Sequence, residues 1–324
     1  MTSPAATAVA HPNIAFIKYW GNRDDALRIP MNASLSMNLA ALSTTTSVEF
    51  RCDLQQDDLL IDGQSAAPAA LQRVSAFLDI VRERMPEKQH AIIISRNNFP
   101  MGAGIASSAS AFAALAAAAS HAAGLDLDET ALSRLARRGS GSACRSIPAG
   151  FVEWLPGRED ENSYAVSFAP AGHWHLVDLI AVVNRTHKEV GSTAGHALAA
   201  TSPLQSARVT DCPRRLALCR QAILEKDFAA FAAIVELDSD MMHAVMQTST
   251  PPLLYWEAAT VELMHKVRTW RSQGLPVCYT IDAGPNVHIL CQQQDVTQVE
   301  GQLQQMAAVQ AVYRSGAGGG VQLV

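Results

Sequence analysis

Two segments of the sequence carry charged side chains in settings suited to chemistry on an anionic substrate. Residues 138–146 read RGSGSACRS and place Arg145 at the end of a loop of small residues. A guanidinium matches a carboxylate or phosphate, although an arginine in isolation is equally typical of a structural ion pair. Residues 279–286 read YTIDAGPN. Asp282 stands where a strand runs into a turn, so its carboxylate either projects into a cleft or caps the turn.

Two further segments carry a lysine and a glycine–serine loop. Residues 13–21 read NIAFIKYWG, and strand alternation puts Lys18 and Trp20 on the face opposite Tyr19. A strand lysine is usually solvated, but the apolar neighbours of Lys18 favour burial. Residues 100–109 read PMGAGIASSA. Because glycine admits a ligand close to the backbone and a following helix directs amides at phosphate, this loop is either a phosphate site or a tight turn.

The elements that position these segments mix strands and helices without a regular βαβ repeat. Hydrophobic periodicity predicts strands over 45–50, 91–95, 147–155 and 175–183, and two more around Asp282. It predicts helices over 69–84, 126–138, 255–271 and 295–307, an alanine-rich helix ending near Gly124, and further helices within 216–235. We therefore predict an α+β fold of two domains, residues 1–180 and 181–324.

The composition is that of an ordinary globular protein. Of 324 residues, 48% are apolar and 17% are charged, and the formal net charge of −5 argues against nucleic-acid or anionic-membrane partners. Met1–Ala10 lacks the basic and apolar regions of a signal peptide, so we expect a cytoplasmic protein. The six cysteines form no CxxC pair and are expected to be free thiols. His173 and His175 lack a third ligand, so no protein metal site is predicted.

The segments occur in the order found in a known family. Together with NFP at 98–100 and GST at 191–193, they make the chain, from about residue 8 to 324, resemble the mevalonate diphosphate decarboxylases of the GHMP kinase superfamily. The resemblance implies a two-domain GHMP kinase fold with the active site in the cleft between an N-terminal ATP-binding domain and a C-terminal domain carrying the catalytic aspartate. It also implies ATP and Mg²⁺ as cofactors, a phosphorylated mevalonate as substrate, and a homodimer.

The resemblance implies a role for each candidate residue. Asp282 would accept the proton of the substrate 3-hydroxyl, and Lys18 would stabilise the transferred phosphoryl group. Arg145, helped by Asn13, would hold the substrate carboxylate. Other substrate contacts would come from Tyr19, Asn22, Ser142, Ser192 and His11. Contacts to ATP would come from Gly102, Ala103, Gly104, Ala106, Ser107 and Ser108.

One position departs from the diphosphate-specific relatives, whose motif reads KYWGK with the second lysine on the substrate diphosphate. This chain has Asn22 there, which offers hydrogen bonds but no charge. The pair His11-Pro12 also resembles the monophosphate-using decarboxylases of archaea. We therefore predict mevalonate 5-phosphate as the substrate and isopentenyl phosphate as the product. The alternative is mevalonate diphosphate, with Arg23 or Lys188 replacing the lost charge.

Two other classes of function would call for different residues than a decarboxylase. A mevalonate-type kinase that stops after phosphorylation would not need Arg145 in this context. A non-catalytic relative would not need to keep Lys18, Arg145 and Asp282 together. The combination of these residues therefore favours phosphorylation followed by loss of CO₂.

Overall fold

A computed structural model describes residues 5–99, 107–185 and 191–324. Its strands are β1 (Ala5–Ala10), β2 (Asn13–Ile17), β3 (Asn22–Asp24), β4 (Ile29–Pro30), β5 (Ser34–Asn38), β6 (Thr44–Arg51), β7 (Asp58–Ile61), β8 (Gln64–Ser65), β9 (His90–Asn97), β10 (Phe151–Leu155), β11 (Tyr164–Ala169), β12 (Leu176–Val182), β13 (Val277–Ile281), β14 (Val287–Gln292), β15 (Ala311–Gly316) and β16 (Gln322–Leu323). Its α-helices are α1 (Pro68–Arg82), α2 (Ser107–Ala122), α3 (Glu129–Gly139), α4 (Ser192–Leu198), α5 (Gln205–Glu225), α6 (Phe228–Gln247), α7 (Ala258–Ser272) and α8 (Val296–Gln304). The predicted α+β class is confirmed.

The largest sheet has the strand order β16-β1-β6-β9-β7-β8 and fixes the position of α2. Residues of β6 alternate in burial, so that Val48 and Phe50 face inward while Glu49 and Arg51 face outward. Helix α2 packs against β1 and β6 on the inner face. Because most side chains of α2 are alanine, the helix approaches the sheet closely, which holds its N-terminal end at Ser107 in place.

Two four-stranded sheets each deliver one catalytic candidate. In the sheet β11-β10-β5-β2, strand β2 ends immediately before Lys18. In the sheet β13-β14-β12-β15, strand β13 ends immediately before Asp282. The predicted domain boundary at 180/181 stays a prediction, and it falls within β12.

A single hydrophobic core joins these two sheets. It contains Phe16 from β2, Ile180 from β12, Leu290 from β14 and Phe231 from α6, all of them fully buried. The rings of Phe16 and Phe231 meet edge to face, with centroids 4.9 Å apart. This core holds the end of β2 opposite the end of β13. The residue that follows β2, Lys18, therefore faces the residue that follows β13, Asp282.

After β15 the chain returns to the largest sheet. Strand β16 pairs antiparallel with β1, with Ala8 opposite Leu323. On the way the backbone passes close to the first half of the molecule, because a Cβ at Gly320 would lie 2.4 Å from the carbonyl oxygen of Ile147. The absence of a side chain at Gly320 thus permits this close packing.

Most predicted elements are present, and several have ends that differ from the prediction by three or four residues: α3 begins at Glu129 and not at 126, and α8 ends at Gln304 and not at 307. The strand predicted over 147–155 begins only at Phe151, because Gly150 has a φ of +76° that a strand does not allow. The helix predicted over 255–271 begins at Ala258, since Glu257 caps its first turn. The last two shifts arise from backbone geometry that hydrophobic periodicity does not report.

The predicted alanine-rich helix is α2, and most of its side chains are buried. Within the ranges that the structure describes, none of the helices has the length and apolar character that crossing a bilayer requires. All six cysteines are free thiols, with Cys52 exposed and the other five buried.

A buried ion pair lies inside the last sheet. His288 Nδ1 is 2.7 Å from Asp178 Oδ2, and both side chains are almost fully excluded from solvent. Burial disfavours the imidazolium, but the charge of Asp178 outweighs this effect and raises the pKa of His288 above its ordinary value. His288 stands opposite Thr280, two residues before Asp282, so its charge lies close to the catalytic candidate.

We expect Asp178→Asn to destabilise the fold by about 1–3 kcal/mol near pH 6, through loss of a charged hydrogen bond. A histidine whose folded pKa is raised contributes stability that is complete below about pH 6.5 and is lost as the pH rises through the folded pKa. The cost of Asp178→Asn should therefore shrink towards pH 9, which urea unfolding at several pH values measures. Asp53→Asn, at an exposed pair, serves as the control and should show no such dependence. A cost that is the same at every pH would show that His288 is neutral.

Candidate active site

The predicted catalytic residues Lys18 and Asp282 form an ion pair between the two four-stranded sheets. Lys18 Nζ lies 2.6 Å from Asp282 Oδ1. The lysine side chain is 2% exposed and the aspartate side chain 26%, so the carboxylate is the member of the pair that remains accessible from the cleft. The expected burial of Lys18 is therefore confirmed.

Asp282 is ionised at neutral pH. Burial alone would raise the pKa of its carboxyl, but the positive charges of Lys18, His288 and Arg145 lower that pKa below its ordinary value. The carboxylate is thus an acceptor that needs no prior deprotonation. It can orient a hydroxyl group and take its proton when the hydroxyl oxygen attacks an electrophile.

A second histidine lies behind Asp282 and is neutral. His243 Nε2 is 3.3 Å from the carbonyl oxygen of Ile281, and the ring is buried against Trp256. Burial and the neighbouring charge of Lys18 lower the pKa of His243 to about 3. His243 therefore supports the backbone that precedes the catalytic carboxylate without adding charge to the site.

The main chain of Lys18 is held from both sides by buried charged groups of α5 and α6. Its N–H donates to Asp238 Oδ1 at 2.7 Å, and its carbonyl oxygen accepts from Arg208 Nη2 at 2.6 Å. The other oxygen of Asp238 accepts from Arg215 Nε at 2.7 Å. Since Lys18 follows the end of β2 and has no ladder partner, these contacts replace the sheet in fixing where its side chain emerges.

Arg145 is a buried cation whose hydrogen-bond partners are all neutral. It donates to Asn13 Oδ1 at 3.0 and 3.2 Å, to Ser36 Oγ at 3.1 Å and to Ser34 Oγ at 2.7 Å. No carboxylate of the described residues lies within 4.0 Å of it, so the structural ion pair weighed above is not observed there. Burial lowers the pKa of the guanidinium, a cost that a bound anion would offset.

Asn13 connects Arg145 to the small-residue loop. While its Oδ1 accepts from Arg145, its Nδ2 donates to the carbonyl oxygen of Ser142 at 3.1 Å and to Ser146 Oγ at 2.8 Å. Its amide thus orients both the guanidinium and the loop, which forms a 3₁₀ helix over Gly141–Ser146. Direct contact of Asn13 or Ser142 with a substrate stays a prediction.

Tyr19 and Asn22 line the opposite end of the same region. The Tyr19 hydroxyl donates to Asn22 Oδ1, and Asn22 Nδ2 donates to Asp25 Oδ1 at 2.8 Å. A Cβ at Gly141 would lie 2.6 Å from the Tyr19 hydroxyl, so glycine lets the loop backbone reach that group. Burial raises the pKa of Tyr19, which therefore keeps its proton and remains a hydrogen-bond donor.

Helix α4 packs against the segment that carries Lys18. His196 Nδ1 accepts from the N–H of Gly21 at 3.0 Å, and the imidazole stacks on Tyr19 with centroids 4.1 Å apart. Ser192 is the first residue of this helix and is half-buried. The structure therefore brings the element carrying Ser192 to the site, and its contact with a substrate stays a prediction.

The predicted ATP-binding segment is described only in part. Ser107 and Ser108 form the first turn of α2 and are half-buried, whereas Gly102, Ala103, Gly104 and Ala106 lie outside the described residues. His11 lies between β1 and β2, where its Nδ1 is 2.7 Å from the carbonyl oxygen of Leu42. This contact ties His11 to the loop before β6, and its role in substrate binding stays a prediction.

Several side chains that shape the site were not anticipated. Ser34 and Ser36 alternate with apolar residues in β5, and this period of two could have indicated a polar face opposite Arg145. Asp238, Arg208 and Arg215 lie about two hundred residues from Lys18 in a helical region, and no local pattern links them to it.

Comparisons with known proteins agree with this arrangement. The family model of the diphosphomevalonate decarboxylase-like N-terminal domain matches residues 10–165, and that of the mevalonate 5-diphosphate decarboxylase C-terminal domain matches residues 178–317. The diphosphomevalonate decarboxylase mvd1 of Aspergillus fumigatus is 40% identical over 320 residues, covering 91% of this chain and 79% of the relative. The human diphosphomevalonate decarboxylase is 38% identical over 309 residues, covering 88% and 76%.

Solved structures show the same fold. Mevalonate diphosphate decarboxylase of Staphylococcus aureus superposes with a TM-score of 0.94 at 39% identity, covering 99% of this chain and 98% of that one. The enzyme of Enterococcus faecalis gives a TM-score of 0.94 at 36% identity, covering 100% and 99%. A structure with the same scores and coverage is described as MDDEF in complex with MVAPP, AMPPCP and magnesium. This chain belongs to the diphosphomevalonate decarboxylase family of the GHMP kinase superfamily.

Proposed function

We propose that this protein is an ATP-dependent decarboxylase that converts mevalonate 5-diphosphate to isopentenyl diphosphate, ADP, phosphate and CO₂. The observation that carries the proposal is the buried Arg145, without a carboxylate partner in the described residues, beside the Lys18–Asp282 pair. An arginine for a substrate carboxylate next to a base for a hydroxyl is the pair of functions that a 3-hydroxy acid requires.

The proposed substrate replaces the monophosphate predicted above. That prediction depended on Asn22 and on the pair His11-Pro12, and the relatives do not support it, because those of Aspergillus fumigatus and human are both named diphosphomevalonate decarboxylases. A single missing lysine is weak grounds for excluding a diphosphate, since the charge that binds an anion can come from another element. Mevalonate 5-phosphate is therefore the second candidate.

The first step is transfer of the terminal phosphoryl group of ATP to the substrate 3-hydroxyl. Asp282 would hold the hydroxyl as an acceptor and take its proton as the new oxygen–phosphorus bond forms. Lys18 would stabilise the negative charge on the transferred group, for which its burial is favourable because a low dielectric strengthens the attraction. The backbone contacts of Lys18 would keep its ammonium in place throughout.

The second step is loss of CO₂. The bond from C2 to the carboxyl carbon breaks, its electron pair forms the alkene, and the 3-phosphate departs with the electrons of the carbon–oxygen bond. Arg145 would position the carboxylate beforehand, held by Asn13, Ser34 and Ser36. Because its partners are neutral and fixed, Arg145 need not move between the two steps.

The residues present fit an ATP site at the start of α2. The first turn carries the hydroxyls of Ser107 and Ser108, and the helix directs its N-terminal amides outward, which suits phosphate. Within the described residues no three His, Cys, Asp or Glu side chains converge as a metal site, so magnesium would be held chiefly by the phosphates, whose charge it neutralises. The homodimer and the cytoplasmic location stay predictions.

Asp282→Asn should preserve folding and ATP binding but lower turnover about a thousandfold or more, because the amide cannot accept the hydroxyl proton. Parallel measurement of ADP and CO₂ release tests this, with Asp126→Asn at an exposed position as the control. Near-normal turnover in a folded Asp282→Asn protein would remove Asp282 from the mechanism.

Arg145→Lys should raise the KM for the phosphorylated mevalonate and lower turnover, each by about tenfold or more, since a point charge does not reproduce the planar fork. Steady-state kinetics in both substrates measure this. Arg220→Lys, at a partly exposed pair with Glu153, is the control. If KM and turnover are unchanged in Arg145→Lys, the guanidinium has only a structural role.

Assays of the unmodified enzyme with mevalonate 5-diphosphate and with mevalonate 5-phosphate decide between the two substrates. We expect the specificity constant of the unmodified enzyme for mevalonate 5-diphosphate to exceed that for mevalonate 5-phosphate by about tenfold or more, since one further charged contact contributes roughly 1.5–3 kcal/mol. ADP and CO₂ should appear in equal amounts with the diphosphate. Preference for the monophosphate would reverse the assignment, and ADP without CO₂ would make the protein a kinase.

A further inference from the structure

A diagonal row of polar side chains crosses the last sheet and ends at the active site. Asp178 of β12, His288 of β14 and Thr280 of β13 face the core that joins the two four-stranded sheets, since the residues two positions before or after them belong to that core. Asp282 continues the row two residues after Thr280, where it meets Lys18 of the other sheet. Charged side chains thus lead from the middle of the sheet to the catalytic carboxylate.

His288 is the cation of this row. Its Nδ1 lies 2.7 Å from Asp178 Oδ2, and the two side chains are 2% and 0% exposed. Burial opposes the imidazolium, but the charge of Asp178 outweighs it and raises the pKa of His288. The Nε2 atom is buried and has no hydrogen-bond partner among the described residues, so within them Asp178 is the acceptor that holds the ring. A ligand in the cleft therefore cannot reach this pair.

Three cations act on Asp282, and the bound substrates would engage two of them. Lys18 Nζ lies 2.6 Å from the carboxylate, while His288 and Arg145 act on it from further away. Under the proposed function, Lys18 turns to the transferred phosphoryl group and Arg145 to the substrate carboxylate, so substrate anions offset both charges. His288 has no such assignment. Its partner Asp178 lies one strand further from Asp282, and therefore offsets the field of His288 there only in part.

Other titratable groups around Asp282 and His288 do not replace this charge. In the part of the chain that the structure describes, they are an imidazole, a thiol, a phenol and one ion-paired cluster, namely His243 of α6, Cys278 of β13, Tyr313 of β15 and Arg208 with Arg215 and Asp238. Burial lowers the pKa of His243 to about 3 and raises that of Cys278 well above its ordinary value, so both are neutral. The two arginines are bound to Asp238 and to a main-chain carbonyl oxygen.

We propose that His288 is a positioning residue that keeps Asp282 ionised while the anions of the bound substrates engage the other two cations of the site. The inference rests on the proposed function and specifies how its base is maintained. The 3-hydroxyl proton passes to Asp282 as the bond from that oxygen to phosphorus forms and the bond from phosphorus to ADP breaks. His288 keeps its own proton throughout and acts through its charge, which also favours the later loss of the proton from Asp282 to solvent.

Asp178→Asn together with His288→Gln tests the assignment, because the double variant removes both charges of the pair and keeps its hydrogen bond. The rate of ADP formation in a single turnover, with both substrates saturating, is measured as a function of pH. The acid limb of this rate should lie about one pH unit higher in the double variant, since a nearby cation lowers the pKa of a carboxyl by about that much or more. Near pH 5 the rate relative to its plateau should therefore be about three- to tenfold lower. The substrate phosphates titrate identically with both enzymes, so the difference between the limbs reports the protein.

Restoration of charge provides a second readout that a purely structural role would not produce. His288→Lys retains a cation beside Asp178, so its acid limb should coincide with that of the unmodified enzyme to within about 0.3 pH unit. The matched control is Glu236→Gln with Arg271→Gln, an ion pair at the outer edge of β13, which should leave the limb in place. Urea unfolding establishes that each variant is folded.

Two results would overturn the inference. One is an acid limb that does not move in the folded double variant, including a rate that falls by the same factor at every pH. The other is an acid limb of His288→Lys that matches that of the double variant. Failure of the unmodified enzyme to release CO₂ from the diphosphate would instead refute the proposed function, and the ADP measurement would still test His288.

Discussion

The ion pair of Lys18 and Asp282 is the contact on which the rest of the site depends, because each half of the molecule supplies one charge. Lys18 follows β2 and Asp282 follows β13, so the pair forms where the two four-stranded sheets meet. The main chain of Lys18 is fixed by Asp238 and Arg208. Asp282 follows a strand that shares a hydrophobic core with β2. Packing between the two sheets therefore fixes the positions of the Lys18 and Asp282 side chains relative to each other.

The site is positively charged although the whole chain is acidic. Arg145 is buried among neutral donors and acceptors. Elsewhere, buried arginines such as Arg137 and Arg215 have acidic partners. A net charge of −5 therefore conceals a local excess of positive charge at Arg145.

The α+β class, most of the helices and the segments that carry Lys18, Arg145 and Asp282 could be predicted, because periodicity and short motifs report local structure. Asp282 and Lys18 were found through motifs that span fewer than ten residues each. The contact of Asp238 with the main chain of Lys18 was not predicted, since Asp238 lies 220 residues further along the chain. The choice between a monophosphate and a diphosphate could not be made in the same way, because the charge of a binding pocket is the sum of contributions from several elements and Asn22 reports only one of them.

The return of β16 to the edge of β1 bears on how the chain folds during synthesis. Ribosomes release the chain from its N-terminus, and domains generally fold as units in that order. Here the sheet that supports α2 lacks its edge strand until residues 322–323 have emerged, and the segment before them must pass against Ile147. The nascent first half would therefore expose an unpaired strand edge while the second half is translated. Such an edge is a surface that a chaperone or a neighbouring chain can pair with.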